Sequence, residues 1–339
     1  MKITILVFDI IYVINSKHPM ENFFSAKPRL GISACLLGQK VRYDGGHKKD
    51  PFLTDTFGLQ VEWVPVCPEL EVGMGVPREP VRLVGNASDF RMIAERSGKD
   101  WTGAMRRFAA ERARELNALE LSGYIFKKDS PSCGMERVRL YNRDGIPNRA
   151  GRGLFASVLM SELPLLPVEE EGRLNDPILR ETFVERIFAY HRWQGCARQR
   201  KSVRSLVDFH TRHKLLVLAH SELHYRKLGR IVAECKRSPI TAAYEQYSQL
   251  FMEALARPAT TKKHGNVLQH MIGYFSKELS REERQELLEL LDDFRQRLIP
   301  LVVPLTLFHH YVKKYRVTYL ENQIYLQPSP KELMLRNHV

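Results

Sequence analysis

A chain of 339 residues with 44% hydrophobic and 27% charged side chains has the composition of a soluble globular protein, and its length favours two domains. Its five cysteines are too few and too scattered for a disulfide scaffold and favour a reduced, cytoplasmic setting in which cysteine serves metal or catalysis. The net charge of +13 is uneven, +3 over residues 1–175 and +10 over residues 176–339, and a basic excess confined to one half points to a polyanion partner, with a merely solubilising surface as the plainer reading.

The apolar start "ITILVFDIIYVI" is interrupted by Asp9 and too short to span a bilayer. It also lacks the pattern of a signal peptide, so no membrane association is expected. Met20 opens "MENFFSAKPRLGISACLLG" as a natural beginning. Residues 1–26 are therefore set apart as an N-terminal extension, the first nineteen as a start-site extension, with an extra strand as the alternative. Next, "LGISACLL" and "VEWVPVCP" predict strands that end in turns. "DWTGAMRRFAAERARELNALE" predicts a helix capped by Asp100 or Thr102, "LSGYIFKKD" a strand, and "GRGLFASVLMSEL" a helix opened by Gly151 and Gly153. This rhythm predicts an α/β domain over residues 27–172, Rossmann-like, with a mainly parallel sheet. Prolines 164, 167 and 177 and the acidic run Glu169–Glu171 mark a linker or domain edge. Residues 176–339 read as an all-α domain, opening with Asp176 as cap and Pro177 at the first helical position. Further on, Ser280 and Glu283 make a capping box.

Three cysteines each follow a strand-like run: Cys35 after "GISA", Cys67 after "WVPV" and Cys133 after "DSPS". In an open parallel sheet the carboxyl ends of the strands face one crevice, so distant cysteines can converge there. No CxxC pair exists, which argues against a zinc ribbon. Spacing alone leaves two readings open, three ordinary buried turn residues or three converging thiolates.

"GISACLLGQKVRYDGGHK", "PVCPELEVGMGVPREP" and "FKKDSPSCGMERV" resemble, in order and spacing over residues 28–165, the TudS family of thiouracil and thiouridine desulfidases. The later half, with "DFHTRHKLLVLAHS", "LVVPLTLFHHYV" and "YLENQIYLQPSPKELMLRN", resembles the YbgA-like domain. The combination is similar to the desulfidases of 4-thiouridine in tRNA. The resemblance implies that Cys35, Cys67 and Cys133 bind a [4Fe-4S] cluster. An iron without a protein ligand would then act as a Lewis acid on a soft thiocarbonyl sulfur, with no net redox change. The expected products are uridine and hydrosulfide. Cys196 and Cys235 match no cluster motif and read as packed thiols.

Such hydrolysis needs an acid/base. Glu69, two residues after Cys67, is the first candidate, and Ser130 and Ser132 are placed to position water or pass a proton. Arg42, Tyr43 and Asp44, with Lys127 and Lys128, are candidate substrate contacts: Arg42 for phosphate, Tyr43 for stacking on a base, the lysines for a basic rim. Gly151–Arg152–Gly153 offers backbone N–H groups to a phosphate, or equally a close helix–strand approach. In the second half, residues 191–237 hold 12 basic and 3 acidic side chains. Arg198, Arg200, Lys201 and Arg204 are candidate RNA contacts. Trp193 and Tyr225 read as core more than as base-stacking groups. His210, His213, His220 and His224 share one side of a helical wheel, read as a packing or RNA face more than a metal face. The expected partner is tRNA or a thionucleotide, with no protein partner. Free thiouracil or 4-thio-UMP is the runner-up substrate, and a non-catalytic RNA-binding protein with a structural metal is the rival of another class.

Overall fold

The computed structural model describes residues 27–237 and 239–337; the expected N-terminal extension lies outside the described residues. Eight strands, β1 (Arg29–Ser33), β2 (Glu62–Val66), β3 (Val81–Gly85), β4 (Phe90–Ala94), β5 (Gly123–Phe126), β6 (Val138–Tyr141), β7 (Pro147–Gly151) and β8 (Val168–Glu170), form two four-stranded sheets. The first has the order β2-β1-β5-β8 and is wholly parallel. The second, β4-β3-β6-β7, is mixed, with a parallel β3–β6 pair flanked by antiparallel edges.

The central strands of the first sheet are buried on both faces, as a parallel sheet requires. Along β5, Tyr124 and Phe126 pack with α2 (Thr102–Ala118) and α3 (Leu154–Glu162), following the one-turn α1 (Pro68–Glu71) in chain order. Ile125 alternates to the other face, where it joins Leu30 and Ile32 of β1 against Phe183, Val184 and Ile187 of α4 (Pro177–Arg198). Leu333 and Leu335, near the chain end, complete that cluster. Gly31 is required in β1 because a Cβ there would overlap the Tyr124 ring.

From α4 onward the chain is helical: α5 (Val203–His220), α6 (Glu222–Glu234), α7 (Ile240–Leu255), α8 (Thr261–Ile272), α9 (Arg281–Arg295), α10 (Val302–Tyr315) and the short α11 (Thr318–Glu321). Two of the expected caps are present: Asp176 accepts from Ile178 and Leu179 N–H, and Ser280 with Glu283 forms the capping box. Helix α2 instead starts after Trp101 without a side-chain cap, although Asp100 Oδ1 accepts from Thr102 N at 2.8 Å. Helix α4 belongs to two cores. Its first turns cover the sheet, while Ala189, Trp193 and Cys196 enter the helical core. Among the described residues no helix is long and apolar enough to cross a membrane.

Two sequence expectations are corrected. The acidic run Glu169–Glu171 is no linker: it makes the end of edge strand β8 and the residue after it, and all three carboxylates are buried. The histidines at 210, 213, 220 and 224 do not share a helix, because the chain breaks at Ser221 between α5 and α6. His210 bonds Tyr247, His213 the Phe209 carbonyl, His220 Glu185 and His224 Ser221. Each is a core histidine with a partner, although His213 Nε2 is buried without one, and among the described residues no common metal face forms.

Candidate active site

The neighbouring parallel strands β2, β1 and β5 end on the same edge of the sheet, and the three cysteines follow them. Cys35 is the second residue of a 3-10 turn (Ala34–Leu37) just beyond Ser33. Cys67 precedes Pro68, which sits at the first position of α1. Cys133 lies in the turn "DSPSCG", where Ser130 Oγ accepts the N–H of Cys133 at 3.1 Å and of Ser132 at 3.3 Å. All three thiols line one cavity of about 530 Å³. Among the described residues its lining holds no other cysteine and no histidine. Cys196 and Cys235 are buried in the helical core instead.

Burial pushes the Cys35 thiol up to about 11, only partly offset by the charge of Lys127. Burial also raises Cys67, against the N–H of Leu70. Cys133 is raised furthest: burial leads, the Glu69 charge adds to it, and the Ser33 and Ser132 hydroxyls oppose it. Three thiols with costly anions therefore face one cavity. Among the described residues no group of three His, Cys, Asp or Glu side chains is arranged to hold a single metal ion.

Glu69 is fixed from both sides. Its Oε1 accepts from Ser132 Oγ at 2.6 Å, and its Oε2 accepts from Arg78 Nε at 3.0 Å and Nη2 at 2.5 Å. Ser132 Oγ lies 3.0 Å from Ser130 Oγ and 3.6 Å from the Cys133 sulfur. A carboxylate, a hydroxyl pair and a thiol thus form one continuous chain. Arg78 also donates to the carbonyls of Val41 at 3.1 Å and Gly75 at 2.9 Å, so its guanidinium is fully committed to position. Sequence reasoning missed Arg78, although it stands in the same Pro-flanked segment as Glu69.

The turn of Cys133 is held by the acidic run. Glu170 accepts from Met135 N at 2.6 Å, and Glu171 accepts from Lys127 Nζ at 2.6 Å and Lys128 N at 2.8 Å. Lys127 therefore lies at the cavity wall as a partner of Glu171, beside Cys35, and only Lys128 remains for a basic rim. Gly153 and the start of α3 serve close packing against the Cys133 turn. The N–H groups of Gly153, Leu154 and Ala156 go to the carbonyls of Gly134, Pro131 and Ser132. A Cβ at Gly153 would meet the Ser132 carbonyl, so the glycine permits close helix–turn approach.

Arg42 and Tyr43 line the cavity, Arg42 over the Tyr43 ring at 5.5 Å. Asp44 forms the turn: its Oδ1 accepts from Gly46 N at 2.9 Å and lies 3.6 Å from Arg42 Nε. In the helical part, Trp193 is buried among Phe209, Tyr244 and Tyr247 and donates to Ser248, so it is core. Arg198 pairs with Glu120, at the end of α2. Lys201 lies 5.9 Å from the Tyr244 ring, and Arg200 and Arg204 are exposed.

Residues 30–171 match the description of the 2-thiouracil desulfurase family, and residues 214–330 match a family described as a protein of unknown function, DUF1722. An uncharacterized protein YbbK of Bacillus subtilis is 34% identical over 111 residues, 30% of this chain and 71% of that protein. The chain belongs to the 2-thiouracil desulfurase family. Its chemistry is the removal of sulfur from a thiolated base, and the cavity of the three cysteines lies within the matched desulfurase region. An uncharacterized protein YbgA of Escherichia coli is 37% identical over 153 residues, 45% of this chain and 90% of that protein. The desulfurase is therefore the fusion that its motifs resemble. It is also similar to a solved structure titled a [4Fe-4S]-dependent thiouracil desulfidase, TudS, with 32% identity and a TM-score of 0.38 over 47% of this chain and 100% of that one.

Proposed function

We propose that this desulfurase converts 4-thiouridine in tRNA to uridine and hydrosulfide, with a [4Fe-4S] cluster held by Cys35, Cys67 and Cys133. The observation that carries the reading is the joining of Glu69, Ser132 and Cys133 in one hydrogen-bonded chain at a cavity lined by all three thiols. The donor set fits the cofactor: three cysteines, with no fourth cysteine or histidine among the described residues of the lining. Their raised thiols call for a strongly cationic partner to bind as thiolates. When bound, such a cluster supplies an iron with an open position for a soft sulfur.

The protein's own groups do the rest. Glu69 accepts a proton from the water that adds to the thiocarbonyl carbon, while Arg78 holds its carboxylate in place. Ser132 links that carboxylate to the cysteine loop and passes a proton toward the departing sulfur. Water adds, the carbon–sulfur bond breaks, and the oxygen remains on carbon. Support for RNA as carrier is the charge of +10 over residues 176–339. Anaerobic protein incubated with thiolated tRNA, followed by nucleoside analysis, tests the reading. Uridine replacing 4-thiouridine is expected. Turnover of free 4-thio-UMP with thiolated tRNA untouched would overturn the RNA assignment.

A further inference from the structure

The cavity is walled by both sheets. The cysteines, Glu69 and Ser132 all come from the first sheet's edge and its turns. The second sheet lines the cavity too, through Arg82 on β3 and Arg139 and Tyr141 on β6. Those strands pair directly, with Leu83 opposite Leu140 and Val84 opposite Tyr141. Arg82 lies 5.3 Å from the Tyr141 ring, and its buried Nε has no hydrogen-bond partner among the described residues. Arg139 is exposed and makes no ion pair among the described residues. Two other cations of the lining are tied to carboxylates. Arg78 is held by Glu69 and Lys127 by Glu171. A buried guanidinium N–H left without an acceptor is costly, and guanidinium groups match phosphate oxygens in geometry.

We propose that Arg82 and Arg139, with Tyr141 packed behind Arg82, form a phosphate-binding subsite at the second-sheet wall of the cavity. The inference rests on the desulfidase reading for what occupies the rest of the cavity. It assigns these two arginines as the groups that favour a phosphate-bearing thionucleoside over a free base. The phosphate belongs either to a mononucleotide or to an RNA backbone.

The test uses the full chain, purified anaerobically, with UMP and uridine as binding probes in calorimetry. UMP is expected to bind about ten- to a hundredfold more tightly than uridine, the range of a charge-assisted hydrogen bond or two. Arg82→Ala and Arg139→Ala should each reduce that preference with iron content unchanged. Arg139→Lys should keep part of it. Equal binding of UMP and uridine by the unaltered protein overturns the subsite, as does a variant that keeps the full preference. Iron loss in both alanine variants would make these residues supports of the cysteine site and also overturn it. Turnover of 4-thio-UMP and of thiolated tRNA then identifies the phosphate: loss on the first marks a terminal phosphate, on the second a backbone phosphate, on both a shared one. No loss on either overturns the proposal. A protein that prefers UMP but desulfurises nothing would sink the desulfidase reading and leave the subsite standing.

Discussion

Glu69 and Arg78 show how far a single residue's role depends on its neighbours. An isolated glutamate two positions after a cysteine is more often a surface carboxylate. Here Arg78 closes on one oxygen and Ser132 on the other, so the carboxylate has one orientation. Glu69→Gln should keep the iron and lower turnover about a hundredfold or more, the usual scale for a lost acid/base, read as kcat on thiolated substrate beside an iron assay. Near-normal turnover would move the role elsewhere, with Ser132 next. Arg78→Met leaves the carboxylate chemistry present but unheld. It should lower kcat with a smaller change in KM, and alter the pH profile, whereas Arg78→Lys should restore part of both. Cys35→Ala, Cys67→Ala and Cys133→Ala should each lose iron and activity, while Cys196→Ala and Cys235→Ala keep both. Full iron in any of the first three would end the ligand assignment. The cysteines were legible because each closes a strand-like run, and Glu69 because it shares a turn with Cys67. Arg78 was not legible: its contacts with Val41, Glu69 and Gly75 arise only when the turn is folded.

Among the elements, the parallel sheet was readable and the second sheet was not. Strand β5 is a continuous apolar run and β1 lies in "LGISACLL", but "VRLVG", "VRLY" and "PNRAG" carry arginines into the pattern. Three glutamates in a row signal a linker only while their partners are unseen. Two of those partners, Met135 and Lys127, come from other segments, and Arg173 folds back from the turn that follows. The same blindness hid the dual role of α4. Its residues Phe183, Val184 and Ile187 cover Leu30, Ile32 and Ile125, and Leu333 and Leu335 finish the cover. Residues 27–172 alone would expose that apolar face, so this fragment should aggregate or melt broadly, in contrast to the full chain. Soluble, cooperatively folded 27–172 would show that the sheet needs no such cover. The tail is pinned by Arg336, which donates to Glu185 at 2.8 Å and to the Tyr325 carbonyl at 2.6 Å. Arg336→Ala strips Glu185 of a buried partner and should cost about 3–5 kcal/mol by denaturant melt. A change within error would mean that water replaces the guanidinium.

For the whole molecule, charge and protonation decide the working range and the partner. Burial leads in lowering His210 to about 4 and His264 to about 3, with Lys214 and Arg336 adding repulsion. The unfolded chain titrates these rings near 6.5, so between about 6.5 and 4 it binds more protons than the native state. Stability is complete above that window and is lost as pH falls through it, by about 1.4 kcal/mol per unit for each ring. Melts at pH 7 and pH 5 should differ accordingly, and His264→Gln should reduce the slope; equal slopes would remove His264 as a cause. The positive excess makes a separate claim about RNA. Arg198 is spoken for, since it pairs with Glu120 beside the desulfurase sheet. Arg200, Lys201 and Arg204 stay available, at the bend between α4 and α5. Replacing these three by alanine should weaken thiolated-tRNA binding and reduce the slope of log K against log salt by about two to three, one phosphate contact each. Turnover of 4-thio-UMP should be unchanged. Arg198→Ala should behave differently, lowering the melting temperature with little effect on the salt slope. An unchanged slope in the triple variant would place the RNA surface elsewhere on the helical half, and equal losses on nucleotide and tRNA would make the segment a support of the fold.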